Sequence, residues 1–107
     1  MAKFYITTAI DYPSAPPHIG HAYEKVSADV IARWRRQTGD DVFFLTGTDE
    51  HGQKIQRYAA KSGETAQDFV EKMSKKFVDL CERLNISYVS FIRTTQPQHM
   101  KITQDIF

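Results

Sequence analysis

Three of the chain's four prolines fall at positions 13, 16 and 17. Proline fixes φ and donates no backbone hydrogen bond, so residues 11–17 (Asp-Tyr-Pro-Ser-Ala-Pro-Pro) must form a loop. That loop separates two segments of different character. Residues 3–10 (Lys-Phe-Tyr-Ile-Thr-Thr-Ala-Ile) are β-branched, aromatic and nearly uncharged, and predict a buried strand. Residues 21–38 carry the helical period. Tyr23, Val26, Val30, Ile31 and Trp34 share one face, and Glu24, Lys25, Arg33, Arg35 and Arg36 lie mostly on the other. Trp34 is expected in the core. Arg35 and Arg36 suit the end of the helix dipole, and Gly39 suits the stop.

Residues 42–46 (Val-Phe-Phe-Leu-Thr) are an unbroken apolar run between turn residues, the pattern of a strand buried on both faces. Strand, loop, helix and strand within about 45 residues make a βαβ unit with parallel strands and a right-handed crossover. The expected class is therefore α/β. Downstream, a short helix is predicted over Lys54 to Lys61, stopping at Gly63. A longer one should start at Thr65, with Asp68 as a weak capping partner, and run to Leu84. Its expected stripe is Phe69, Met73, Phe77, Leu80 and Leu84. Residues 86–92 read as a short extended segment. A last helical pattern begins at Pro97, and no cap, glycine or proline closes it before Phe107, so it is expected to be cut mid-element.

Composition narrows the functional classes. Hydrophobic residues make up 41% of the 107, enough for a modest core. A formal net charge of +1 provides no global basic field. The single cysteine, Cys81, excludes an internal disulfide and an all-cysteine metal site, and reads as a small packed hydrophobe. No apolar run approaches a membrane span, and the first residues lack the apolar core of a signal peptide. A cytoplasmic protein is the expectation.

Two polar segments follow the two predicted strands. His18-Ile19-Gly20-His21 leaves the proline-rich loop and opens a helix. A helix start presents unpaired N–H groups and attracts phosphate, and imidazoles there can stabilise charge developing on phosphate oxygens. A glycine between them leaves room for a flat base or a phosphate to approach. The same two histidines also fit a plain surface helix start, or a metal pair that lacks further ligands. Thr46-Gly47-Thr48-Asp49-Glu50-His51-Gly52 leaves the second strand at the same sheet edge, where α/β ligands bind. By itself it equally fits a polar turn capped by its own Asp.

Together these segments resemble a known family. Tyr5-Ile6-Thr7-Thr8-Ala9-Ile10, then Pro17-His18-Ile19-Gly20-His21-Ala22-Tyr23, then Phe44-Leu45-Thr46-Gly47-Thr48-Asp49-Glu50-His51-Gly52, is similar to the start of the methionyl-tRNA synthetases. These are class I aminoacyl-tRNA synthetases with a HIGH signature. Other nucleotidylyltransferases share an H-x-G-H, so the Asp49 block carries much of the specificity. The likeness continues through Leu84-Asn85-Ile86-Ser87-Tyr88 and Phe91-Ile92-Arg93-Thr94-Thr95.

The resemblance implies a truncated Rossmann-like fold in which residues 1–107 are the N-terminal part of the catalytic domain. The family's inserted domain, K-M-S-K-S loop and anticodon-binding domain would lie elsewhere. It implies ATP-dependent activation of L-methionine to methionyl-adenylate and transfer to tRNA(Met). ATP would come with Mg²⁺, and zinc would belong to the parent's inserted domain rather than to this segment. His18 and His21 would act in catalysis. His18, Gly20, His21 and Glu24 would bind ATP. Ile10, Tyr12 and Asp49 would bind methionine, Asp49 through the ammonium. A non-catalytic ligand-binding fragment and an HxGH nucleotidylyltransferase are the alternatives. Lys72-Met73-Ser74-Lys75-Lys76 mimics the family's second signature, but Met73 falls on a helical apolar stripe. The lysines are therefore expected to be a solvated helix face.

Overall fold

A computed structural model describes the whole chain, Met1–Phe107. Its elements are β1 (Lys3–Thr7), α1 (Ile19–Gln37), β2 (Asp41–Thr48), α2 (Gln53–Lys61), α3 (Ala66–Arg83), β3 (Ser90–Arg93) and α4 (Pro97–Ile106). The three strands form one parallel sheet in the order β1-β2-β3. Phe4 lies opposite Val42 in one pair, and Leu45 opposite Ser90 in the other. α1 is the connection from β1 to β2, while α2 and α3 together connect β2 to β3. The α/β class, the parallel pairing and the Rossmann-like start follow the expectation.

Packing is one-sided. Ala28 and Ala32 of α1, Val42 and Phe44 of β2, Cys81 of α3 and Ile86 form one core cluster. Ile55 and Ala59 of α2 meet Phe69 and Val70 of α3 in a second, with Tyr12 against it. On the sheet's other face Tyr5 and Phe43 stack at 5.9 Å between ring centroids and stay exposed. β2 is therefore not buried on both faces along its length. It alternates from Asp41 to Phe44 and is enclosed on both faces only at Thr46–Thr48. Gly47 is required there, since a Cβ would fall 2.1 Å from the Ile92 carbonyl oxygen. β1 is also shorter than the predicted 3–10 and lies at a sheet edge, with one face exposed. Thr8 still donates to Leu45 O at 3.1 Å, and then the chain peels away before Pro13.

The largest difference from the sequence expectation concerns α1. Tyr23, Val26, Val30, Ile31 and Trp34 all face outward, and Trp34 is 56% exposed. The inward face is Lys25, Ala28, Asp29 and Ala32. Two alanines let the helix sit close on the sheet, and polar partners satisfy the charges around them. Asp29 accepts from the Ser87 backbone N–H at 2.8 Å and from Arg33 at 2.7 Å. Arg36 donates to Ser87 O at 2.9 Å. A smaller rotation affects α3. Val70, Ser74 and Cys81 are buried beside Phe69 and Phe77, Leu80 is half-buried, and Leu84 is exposed. Thr65 caps α3 by accepting from the Asp68 N–H at 3.1 Å.

Candidate active site

Because all three strands are parallel, their exits lie at one edge. The loop after β1, the turn after β2 and the turn after β3 therefore meet, at the carboxyl edge where α/β folds bind ligands.

α1 begins in an unusual way. His18 is its N-cap with extended backbone, and its Nδ1 accepts from the Gly20 N–H at 3.0 Å. His21 reaches back, and its Nδ1 accepts from the His18 N–H at 3.0 Å. The two imidazoles thus form a reciprocal capping box, a task usually done by Ser or Thr with Glu. Gly20 permits it, because a Cβ there would lie 2.8 Å from His18 Cε1. An Nδ1 that accepts leaves the ring proton on Nε2 in the neutral form. Both rings therefore offer an Nε2–H donor. The rings stand 4.0 Å apart between centroids, and His21 meets Phe77 edge-on. Burial lowers the His21 pKa, and the attraction of Asp11 does not fully offset this.

Asp11 joins the two halves of the site. Its backbone N–H donates to Gly47 O at 2.9 Å, and its carbonyl accepts from the Asp49 N–H at 2.8 Å. Its buried carboxylate is ion-paired with Lys25, itself 1% exposed. The other carboxylate oxygen is 3.9 Å from His21 Nε2. The proline-rich loop is thereby tied to the end of β2 on one side and to the histidine helix on the other.

In the turn after β2, the two adjacent carboxylates have different surroundings. Asp49 is half-buried and enters no ion pair. Glu50 is 3% exposed and accepts from Thr48 Oγ1 at 2.7 Å, Ser74 Oγ at 2.9 Å and Thr95 Oγ1 at 2.9 Å. Arg93 adds a fork, Nε at 2.7 Å and Nη2 at 2.9 Å. Burial alone would raise the Glu50 pKa, but Arg93 and the three hydroxyls hold it below the usual carboxylate value. Gly52 closes the turn with φ +145°, and a Cβ on it would fall 2.0 Å from the Tyr12 hydroxyl. Tyr12 thus lies directly over the turn that carries Asp49.

The predicted site residues are distributed as follows. His18, Gly20 and His21 form the helix start. Tyr12 and Asp49 come together through Asp11 and Gly52. Ile10 is 39% exposed at the head of the same loop. Glu24 lies on the second turn of α1, and its carboxylate is 3.3 Å from Lys25 Nζ. Three participants were not anticipated: Asp11, Lys25 and Arg93. The sequence pattern puts Lys25 on the face of α1 opposite its apolar stripe, whereas the structure buries it. Its signal lies in the spacing, since 25, 28, 29 and 32 make a helical stripe that includes the two alanines. Lys72-Met73-Ser74-Lys75-Lys76 lies within α3, with Lys72, Lys75 and Lys76 exposed and Ser74 turned inward to Glu50. No three His, Cys, Asp or Glu side chains are placed to hold a metal ion. No helix is long and apolar enough to cross a membrane.

Comparison with known proteins adds a family to this geometry. The family model described as tRNA synthetases class I (M) matches residues 4–107. A methionine–tRNA ligase of Deinococcus radiodurans is 53% identical over 105 residues, covering 97% of this chain and 15% of the ligase. The methionine–tRNA ligase of Rhizobium meliloti is 51% identical, covering 99% of this chain and 20% of the ligase. Among solved structures, Mycobacterium tuberculosis methionyl-tRNA synthetase in complex with methionyl-adenylate superposes with a TM-score of 0.97 at 46% identity. That match covers 99% of this chain and 21% of the synthetase. The chain thus spans only about a fifth or less of the relatives it matches.

Proposed function

The chain belongs to the class I tRNA synthetases (M), and on that premise we propose that its parent protein is a methionine–tRNA ligase. Residues 1–107 would be the N-terminal part of its Rossmann-like catalytic domain. The observation that carries this reading is the convergence of the His18/His21 helix start and the Asp49 turn on one sheet edge, joined by Asp11 through its backbone bonds and its ion pair with Lys25.

The chemistry assigned to these residues is as follows. The methionine carboxylate attacks the α-phosphate of ATP, supplied with Mg²⁺, and pyrophosphate leaves. Negative charge builds on the phosphate oxygens in the transition state. His18 and His21 donate Nε2–H to those oxygens from a helix N-terminus whose dipole adds to the effect. Gly20 leaves the helix start open to the adenine. Glu24, one turn on, helps hold the nucleotide. The free Asp49 carboxylate pairs with the methionine ammonium. Ile10 and the Tyr12 ring wall the side-chain pocket, where an apolar surface and an aromatic face suit a thioether. The adenylate then passes methionine to the 3′ end of tRNA(Met), and the parent would do so in the cytoplasm. No covalent enzyme intermediate is required, so the chain works by position and electrostatics.

Methionine-dependent ATP–pyrophosphate exchange by the full-length parent is the test. Exchange with methionine supports the assignment. Exchange with another amino acid alone overturns the substrate. The absence of any amino-acid-dependent exchange overturns the ligase and favours a nucleotidylyltransferase or a silent binding protein.

A further inference from the structure

We propose that Glu50 is a positioning residue that fixes Asp49 for amino-acid binding through its fork with Arg93; this rests on the role given to Asp49 above. Glu50 cannot reach a substrate. Its side chain is fully buried, and its lone pairs are taken by protein donors. Those donors come from separate parts of the chain: Thr48 at the end of β2, Ser74 in the middle of α3, Arg93 at the end of β3 and Thr95 just beyond it. The Glu50 backbone is anchored as well, since its N–H donates to Thr94 Oγ1 at 2.7 Å. On the other side, the Asp49 N–H donates to Asp11 O at 2.8 Å. Asp49 is therefore held on both flanks by its backbone while its own carboxylate stays unpaired.

The arrangement also sorts charge. Two adjacent carboxylates would repel each other and share a cation poorly. Arg93 neutralises Glu50 at hydrogen-bond distance, and its Nη2 also lies 3.3 Å from Glu71 Oε1. The uncompensated negative charge of the turn is then that of Asp49, which suits recognition of a single ammonium. Stability alone does not demand this design, because a buried ion pair is often replaceable by apolar side chains at little cost. Its distinctive product is a fixed turn.

Glu50→Gln and Arg93→Lys in the full-length parent test the proposal. Each should raise the methionine KM in ATP–pyrophosphate exchange about tenfold and leave the ATP KM within about twofold. The double variant should be little worse than the poorer single one, because the two residues act as a unit. Amide hydrogen exchange over residues 47–53 should speed up about tenfold in each variant, a readout that needs no substrate. An unchanged methionine KM overturns the proposal, as do parallel rises in both KM values or unchanged amide exchange. A wild-type parent without methionine-dependent exchange overturns the ligase assignment instead, while the amide exchange still decides whether Glu50 holds the turn.

Discussion

The proposed roles of the histidines and of the buried Glu50 can each be tested one residue at a time. His21 is held neutral by burial and oriented by its bond to the His18 N–H. Its removal should therefore delete a positioned donor. In the parent, His21→Ala is expected to slow adenylate formation about 10²-fold or more. Lys75→Ala should change the rate little, because Lys75 is exposed on α3 rather than on a catalytic loop. Single-turnover measurement of both checks this, and equal losses would contradict it. Glu50 has a pH signature. Its folded pKa lies below its ordinary 4.5, so its contribution to stability is present above that value. The contribution is lost as pH falls through the folded value, because the unfolded chain takes the proton first. The melting-temperature gap between wild type and Glu50→Gln should be full at pH 6 and should shrink progressively as the pH falls below the ordinary carboxylate value of 4.5.

At the scale of elements, the sequence was legible where spacing and propensity alone decide. Both flanking strands, the proline loop, the cap at Thr65 and the parallel order follow from local pattern, and the helix boundaries fall within a residue or two of expectation. The orientation of α1 did not. Its outward stripe is the more hydrophobic one, and an amphipathic reading turns that stripe inward. What reversed it is non-local. Asp11 waits for Lys25, Ser87 waits for Asp29, and two alanines permit close approach to the sheet. None of those partners is near in sequence to α1's inward face. In the site, the two signature segments were readable as motifs. The partners that fix them, Asp11, Lys25 and Arg93, meet only on folding. The alanine face is itself testable. Ala32 is fully buried, so Ala32→Leu should overpack the helix–sheet contact and destabilise the fold by about 1–3 kcal/mol. Urea unfolding measures this, and no change would mean that the contact has slack.

The molecule as a whole is a slab. Its extents are 49 × 36 × 16 Å, and its radius of gyration is 15.4 Å, against about 13 Å for a compact domain of this length. One helical layer covers one side of the sheet, leaving Tyr5 and Phe43 bare on the other and the Tyr23, Val30 and Trp34 side of α1 bare outside. Large apolar side chains are thus exposed on both sides of the slab. The isolated 107 residues should therefore bind a hydrophobic dye far more strongly, per mole, than the full-length parent. They should also show negligible ATP–pyrophosphate exchange, since they hold half of the proposed site and no K-M-S-K-S loop. Robust exchange by the isolated chain would contradict this.

The paired imidazoles at the head of α1 have one further consequence. Each ring has one nitrogen committed to the backbone and the other free for a ligand. Capping and the proposed chemistry thus occupy opposite corners of the same ring and can be separated by substitution. Asparagine is among the best helix caps but is too short to carry a donor to where Nε2 now stands. His18→Asn should leave the helix start intact while removing the donor, so that the full-length variant keeps the wild-type melting temperature and loses ATP–pyrophosphate exchange.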